Sequence, residues 1–382
     1  MYGPRDVSHR FFATAARGTE GVLRAELRSL GLRGVRGDRG GVHFSGELAD
    51  GARACLWSRV AVRVLVELGA GPSRDAQELY DTARAIDWSP WVTPRHTLAV
   101  RATGRGASFN HTGFIALKVK DAVVDQLRDA RGARPDVNAR DPDVSVQVHL
   151  ERDEARLMLD LSGEPLHRRG LRRSVVDAVM KETLAAAVLY AVEWDPSQPL
   201  CDPMCGAGTI ALEAAMISRD MAPGLRRGFG FERWPRFDDP EARRAWESLR
   251  EDARARERPA PVAPIEASDH DPEAVEATRA NLRAAGLTDS VSLAQRDLRA
   301  LERPSVPGWV VTDPPYGERT STRPLQRAGF YRQLSDAMRA RGGTVAMLVA
   351  DPELRRAMGV APDLEHAVWN GDIECRVFRW RL

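Results

Sequence analysis

Apolar and polar positions along this 382-residue chain fall into two rhythms. In the first half, short strand patterns mix with helical stripes. Phe11 to Ala15 predicts a strand, and Val22, Leu23, Leu27 and Leu30 recur at helical spacing over Thr19–Leu30, with Gly31 as the stop. Gly40–Phe44 predicts a hairpin strand, Ala54–Arg59 a helix and Val60–Leu68 another strand. Thr97–Thr103 then reads as a strand and Gly113–Arg128 as a helix with Ile115, Val119, Val123 and Leu127 on one face. Val144–Leu150 and Ala155–Leu161 are strands joined by the charged turn Arg152-Asp153-Glu154. The pattern implies an α+β module, and its residues form no catalytic constellation.

From Lys181 onward strands and helices alternate, the signature of a parallel α/β sheet. Strands are expected at Pro199–Asp202, Ile265–Asp269, Val291–Arg296, Val310–Thr312, Thr344–Ala350 and Glu374–Arg381, the last closing the sheet. A tight loop follows the first of them, Pro203-Met204-Cys205-Gly206-Ala207-Gly208-Thr209, and leads into a helix over Ile210–Ser218. Glycines let a backbone approach a ligand closely, and the helix start supplies unpaired N–H groups. Asp271, Pro272 and Gly286 mark the N-cap, first position and end of another helix. Asp269 at a strand end is placed to accept from ribose hydroxyls, and Asp297 from an adenine amino group.

The stretch Val310-Val311-Thr312-Asp313-Pro314-Pro315-Tyr316 organises the second half. Two prolines must end the strand, leaving an acid and an aromatic in a rigid corner where open α/β sheets bind ligands. Such a corner suits methylation of an amino group conjugated to a ring, a nitrogen whose lone pair is withdrawn into the π-system. The Asp313 carboxylate and the Pro314 carbonyl can hold its two N–H bonds, and Tyr316 can stack on the ring. A proline-rich turn with a buried tyrosine is the plainer reading.

Composition narrows the picture modestly. A net charge of +2 announces no nucleic-acid partner. Lysine occurs only at 118, 120 and 181, every other basic residue being arginine, which reflects codon supply more simply than RNA affinity. Cys55, Cys201, Cys205 and Cys375 form no CxxC pair and have no histidine at zinc spacing, so no metal is expected and a reduced, cytoplasmic protein is. The start has no apolar core of signal-peptide length, and no segment approaches the ~20 apolar residues of a membrane span. The basic run at Arg168, Arg169, Arg172 and Arg173 is a solvated linker or a phosphate-contacting strip. Between Arg219 and Pro264, arginines interleave with Phe229, Phe231, Trp234 and Phe237. They could grip unstacked bases, or simply pack a loop onto the catalytic domain.

The stretches FATAARG, ACLWSRVA, ALKVKDAVVDQLR, DLSGEPLHRRG, KETLAAA, DPMCGAGTIALEAA, APGL and DPPYGER, in this order, resemble bacterial large-subunit ribosomal RNA guanine-N2 methyltransferases. The resemblance covers nearly the whole chain. It implies an α/β protein: a Rossmann-like class I methyltransferase domain over 161–382, preceded by a ferredoxin-like segment over 1–43 and an RNA-binding THUMP domain over 44–160. It implies S-adenosylmethionine as cofactor, against Asp202, Cys205, Gly206, Gly208, Asp269 and Asp297, and RNA as partner. Asp313, Pro314, Pro315 and Tyr316 would receive the target base. Apart from the resemblance, Lys118 and Lys120, two lysines together on one helix of an arginine-rich chain, either reach RNA phosphates or cover apolar surface with their stems. Two departures matter. The ribosomal enzymes usually have Asn where this chain has Asp313; related tRNA guanine-N2 enzymes have Asp. Some relatives also carry a second methyltransferase domain, so only the guanine-N2 activity is expected here. The physical reading leaves N6-adenine methylation open, and a non-catalytic RNA-binding assembly factor is the rival of a different class.

Overall fold

The computed structural model describes residues 8–106, 111–170, 180–304, 306–315 and 324–382. Internal contacts divide the chain into two compact units, Met1–Thr14, Leu27–Leu166 and Arg227–Asp252 in one, Ala15–Glu26, His167–Arg226 and Ala253–Leu382 in the other.

The first part of the chain forms β1 (His9–Thr14), α1 (Glu20–Ser29), β2 (Arg33–Asp38), β3 (Gly41–Gly46), α2 (Leu48–Trp57), β4 (Arg63–Pro72), α3 (Ala76–Arg84), β5 (Thr97–Gly106), α4 (Thr112–Arg131), β6 (Asp136–Val137), β7 (Val144–Arg152) and β8 (Glu154–Asp160). Its eight strands make one sheet, ordered β2-β3-β1-β4-β8-β7-β5-β6. The β7–β8 hairpin pairs Val146 with Leu159 and Leu150 with Ala155, and Arg152 takes the left-handed conformation (φ 56°) at its turn. All four residues of the expected stripe on α4, Ile115, Val119, Val123 and Leu127, are fully buried. The expected boundary between residues 43 and 44 is corrected: it cuts through β3, which pairs with β1 from Gly41 to Gly46. Strand β2 and helix α3 were not foreseen. β2 exposes nearly every residue and shows no alternation, while the stripe on α3 is short, only Leu79 and Ala83 being buried.

The later elements are α5 (Glu182–Ala191), β9 (Leu200–Asp202), α6 (Thr209–Ser218), α7 (Pro240–Arg256), β10 (Ile265–Asp269), α8 (Pro272–Ala285), β11 (Ser292–Gln295), β12 (Trp309–Thr312), α9 (Pro324–Arg341), β13 (Thr344–Val349), α10 (Pro352–Ala357), β14 (Leu364–Asn370) and β15 (Ile373–Arg381). The seven-stranded sheet runs β11-β10-β9-β12-β13-β15-β14; the first five strands are parallel, and β15 is antiparallel to both of its neighbours. Successive strand residues serve opposite faces. Val311, Ala346 and Leu348 join Ile210, Ala214 and Leu282 in one core, while Val310, Val345 and Met347 join Tyr331, Leu334 and Met338 in the other. Helices therefore cover both faces, as a parallel sheet requires. Strand β15 does not close the sheet as expected; it lies inside, and β14 is the edge.

The 219–264 segment is a second correction. Residues 227–252 belong with the first unit rather than with the second. Phe229 stacks on Phe231 at 5.6 Å, and both meet Trp246 edge-on. Phe229, Phe231, Trp234 and Trp246 are buried, so these rings form a small apolar core and are not presented to bases.

Candidate active site

The sheet reverses its order of connection between β9 and β12, which lie side by side although they are the first and fourth parallel strands in sequence. A crevice opens at the carboxyl ends of such a pair. Here β9 delivers Asp202 and β12 delivers Asp313, with β10 bringing Asp269 alongside.

The loop after Asp202 is built to hold glycine backbone in place. Gly206 and Gly208 both have left-handed backbones, φ 54° and 78°. Cys205 N donates to Ser268 O at 3.0 Å, and Gly206 N donates to Asp269 Oδ2 at 3.0 Å. From α8, Thr278 Oγ1 donates to Gly206 O at 2.7 Å and Asn281 Nδ2 to Ala207 O at 3.1 Å. A Cβ at Gly208 would lie 2.7 Å from Thr278 Cγ2, so that glycine is needed for packing. A Cβ at Gly206 would meet nothing within 4 Å, leaving its backbone open to a ligand. Sequence reasoning missed Thr278 and Asn281. Their signal was two polar residues on the apolar face of α8, among Val275, Ala277 and Leu282, all buried.

Asp202 is 1% exposed. Its Oδ1 accepts from Thr312 Oγ1 at 2.8 Å and more weakly from Met204 N at 3.4 Å. Burial pushes its pKa up to about 7, against the pull of those two bonds, and the charges of Asp269 and Asp313 push the same way. Burial also drives the Cys205 thiol far up, so it is a packing group rather than a nucleophile. Asp269 accepts from Asp271 N at 3.1 Å besides Gly206, and His270 Nδ1 lies 3.2 Å from it. Asp297 caps the turn at Leu298–Ala300, and Arg299 Nε and Nη2 grip its two oxygens at 2.9 and 2.7 Å. Those bonds hold its carboxyl well below the usual range. Asp313 is half-buried, Pro314 buried and Pro315 exposed. Tyr316 lies outside the described residues, as do Arg172 and Arg173.

The basic candidates divide. Arg169 is corrected: it is 3% exposed, and its Nε lies 3.2 Å from Oε1 of Glu213, itself 1% exposed. It anchors α6 and faces no solvent. Arg168 is exposed. Lys118 Nζ sits 5.0 Å above the ring of Tyr80, and Lys120 Nζ pairs with Asp121 at 2.8 Å. Both are half-buried and line a surface depression with Arg128 and Arg134.

An open glycine backbone and acids at three strand ends, Asp202 and Asp269 buried and Asp313 half-buried, suit a ligand rich in hydrogen-bond donors and positive charge, as S-adenosylmethionine is. Among the described residues, no helix is long and apolar enough to cross a membrane.

Comparison with known proteins agrees with this geometry. Residues 169–379 match the RMKL-like methyltransferase domain, 73–160 the THUMP domain and 10–65 the RlmL ferredoxin-like domain. The protein slr0064 of Synechocystis sp., whose name assigns it provisionally to the RNA methyltransferases, is 36% identical over 97% of this chain and 96% of its own. The ribosomal RNA large subunit methyltransferase K/L of Syntrophotalea carbinolica is 39% identical over 99% of this chain, which spans about half (54%) of that longer protein. Among solved structures, SMU.472, provisionally named a methyltransferase and crystallised with SAH, superposes with a TM-score of 0.89 at 29% identity, over 98% of both chains. A Listeria monocytogenes protein named from its sequence as an N6-adenine-specific DNA methylase gives 0.87 at 27%, over 98% of this chain and 97% of its own. The chain thus belongs to the family of RMKL-like methyltransferases, with class I architecture in its second half and a THUMP domain in its first.

Proposed function

We propose that this chain is an S-adenosylmethionine-dependent RNA methyltransferase acting on the exocyclic N2 of a guanine in large-subunit ribosomal RNA. The observation that carries the reading is the juxtaposition at one sheet crevice of an open glycine loop after β9 and the acid–proline corner after β12. When bound, S-adenosylmethionine supplies an electrophilic methyl group and a neutral thioether leaving group. Asp269 and the Gly206 backbone hold the donor end. At the acceptor end, the Asp313 carboxylate and Pro314 carbonyl take the two N–H bonds of a flipped base, turning its lone pair toward the methyl group. Asp313, already bonded to one of those hydrogens, is placed to receive the proton released as the N–C bond forms. Positioning supplies most of the rate. The THUMP match and the RNA methyltransferase relatives support an RNA substrate.

A second reading, the same chemistry on tRNA, draws on one feature: Asp at position 313, where the ribosomal enzymes usually have Asn. Nucleoside mass mapping of rRNA and tRNA from a deletion strain, complemented with wild type or Asp313→Ala, tests both. N2-methylguanine missing at one 23S site, and restored by wild type alone, is expected. Loss confined to tRNA selects the second reading; loss of N6-methyladenine, or of neither mark, sinks both.

A further inference from the structure

Strand β9 does not treat its two neighbours alike. With β10 it pairs over three positions, Ile265↔Leu200, Glu266↔Cys201 and Ala267↔Asp202. With β12 it pairs over two, Trp309↔Leu200 and Val310↔Cys201, while β12 stays in register with β13 as far as Thr312↔Met347. Beyond Cys201 the β9–β12 ladder stops, and there the donor loop and the acceptor corner begin. On the β10 side the loop is moored by Cys205 N to Ser268 O and by Gly206 N to Asp269 Oδ2. Toward β12, Thr312 Oγ1 donates to Asp202 Oδ1 at 2.8 Å. Both side chains are shut off from water, Thr312 fully and Asp202 at 1% exposure. This bond spans the crevice floor, from the first residue of one motif to the residue before the other.

We propose that Thr312 is a positioning residue: its hydroxyl, bonded to Asp202 where the β9–β12 ladder stops, holds the acceptor corner that starts at Asp313 in register with the donor loop. The inference rests on the methyltransferase reading above and adds to it a residue outside the D-P-P-Y tetrapeptide. Sub-ångström placement is what such a tie controls, and a misplacement of about 1 Å is worth up to a hundredfold in rate. The same hydroxyl stabilises the ionised form of a carboxylate that burial otherwise drives toward protonation.

Thr312→Val keeps shape and volume and removes the donor; Thr312→Ser keeps the donor. In ligand-free protein, the carboxyl carbon of Asp202 followed by NMR should titrate about one to two pH units higher in the valine variant, as expected for losing a hydrogen bond to a charged group. It should return to the wild-type midpoint with serine. At pH 9, where Asp202 is at least half ionised even in the valine variant, kcat of that variant should fall about ten- to a hundredfold with KM for S-adenosylmethionine within about threefold of wild type, and serine should restore it. An unmoved Asp202 midpoint, or a valine variant with wild-type kcat, overturns the proposal. A fall in kcat that serine fails to rescue also overturns it. If the valine variant does not fold, Thr312→Ala read by the same titration and turnover decides. The titration needs neither donor nor RNA, so it judges Thr312 even where wild type methylates no RNA tested, an outcome that counts against the proposed function instead.

Discussion

Two buried aspartates, one in each unit, show how differently the two sheets use an acid. Asp160 ends β8 and is almost completely buried, but Arg63 Nη1 lies against its carboxylate and also donates to Gly163 O at 2.8 Å, while Ser162 N donates to Asp160 at 2.9 Å. Asp202 ends β9 at the same depth and is bonded by a hydroxyl and one backbone N–H. Among the described residues no Arg or Lys lies within ion-pair distance of it. The lesson is about charge. A buried acid matched by the protein's own arginine is a structural element, finished when the chain folds. One that has no such cation among the described residues, at a sheet crevice, is where we propose that a positively charged ligand binds, and binding would relieve the penalty of its burial.

The comparison breaks first at its structural member. Arg63→Met should strand the Asp160 charge and cost about 3–5 kcal/mol of stability, read as a large fall in the midpoint of urea unfolding. S-adenosylmethionine affinity, measured by calorimetry, should stay at the wild-type value under folding conditions. Little loss of stability would mean that Asp160 is held neutral and the contrast with Asp202 is false.

Removing an acid from the other sheet should do the reverse. Asp269→Ala should weaken donor binding by about 1.5–3 kcal/mol, ten- to a hundredfold, because the proposed ribose acceptor and the mooring of Gly206 N go together. Unchanged affinity by calorimetry would take Asp269 out of the donor site.

The pH dependence sharpens the distinction further. Asp202 has a folded pKa raised to about 7. A carboxyl shifted upward contributes stability that is complete below its unfolded pKa of about 4 and is lost as pH rises toward 7. A cationic donor prefers the ionised form, so S-adenosylmethionine affinity should climb about tenfold between pH 6 and pH 8. Asp202→Asn should flatten both curves and weaken binding at pH 8. A donor affinity flat across that range in the wild type would show that Asp202 does not sense the ligand's charge.

The smallest effect is expected at the surface. Lys118 and Lys120 lie over Tyr80 and beside Asp121, so part of each side chain covers apolar or acidic neighbours. If they also touch phosphate, Lys118→Ala with Lys120→Ala should leave donor binding intact. The slope of log RNA affinity against log salt should then fall by about one or two units. Affinity and slope both equal to wild type would assign these lysines to the surface and direct attention to Arg168.

Much of the second sheet was legible because its signals are local. Asp271, Pro272 and Gly286 bracket α8 where expected, since a cap and a left-handed stop are properties of a few adjacent residues. The strand carrying Asp313 announced itself through three β-branched residues before two prolines, and all four residues of β12 are buried. What failed was long-range. Nothing adjacent to Glu374 says that its strand inserts between two others, and nothing near Arg169 says that Glu213, far along the chain, waits for it. The aromatics of 227–252 were given to the wrong unit for the same reason: ring burial depends on what the loop packs against, and the loop's own composition is silent on that.

The sequence by itself determined that glycine loop, strand-end acids and acid–proline corner follow one another in an α/β rhythm, because periodicity and turn chemistry are written residue by residue. Only the tertiary structure decided that β9 and β12 become neighbours, that Asp202 loses water with no Arg or Lys beside it among the described residues, and that Thr312 bonds to Asp202 while Thr278 and Asn281 bond to the glycine loop. Those outcomes depend on which distant segments share a sheet or a buried face. That is settled by the packing of whole elements, where the burial of many apolar side chains outweighs any local preference.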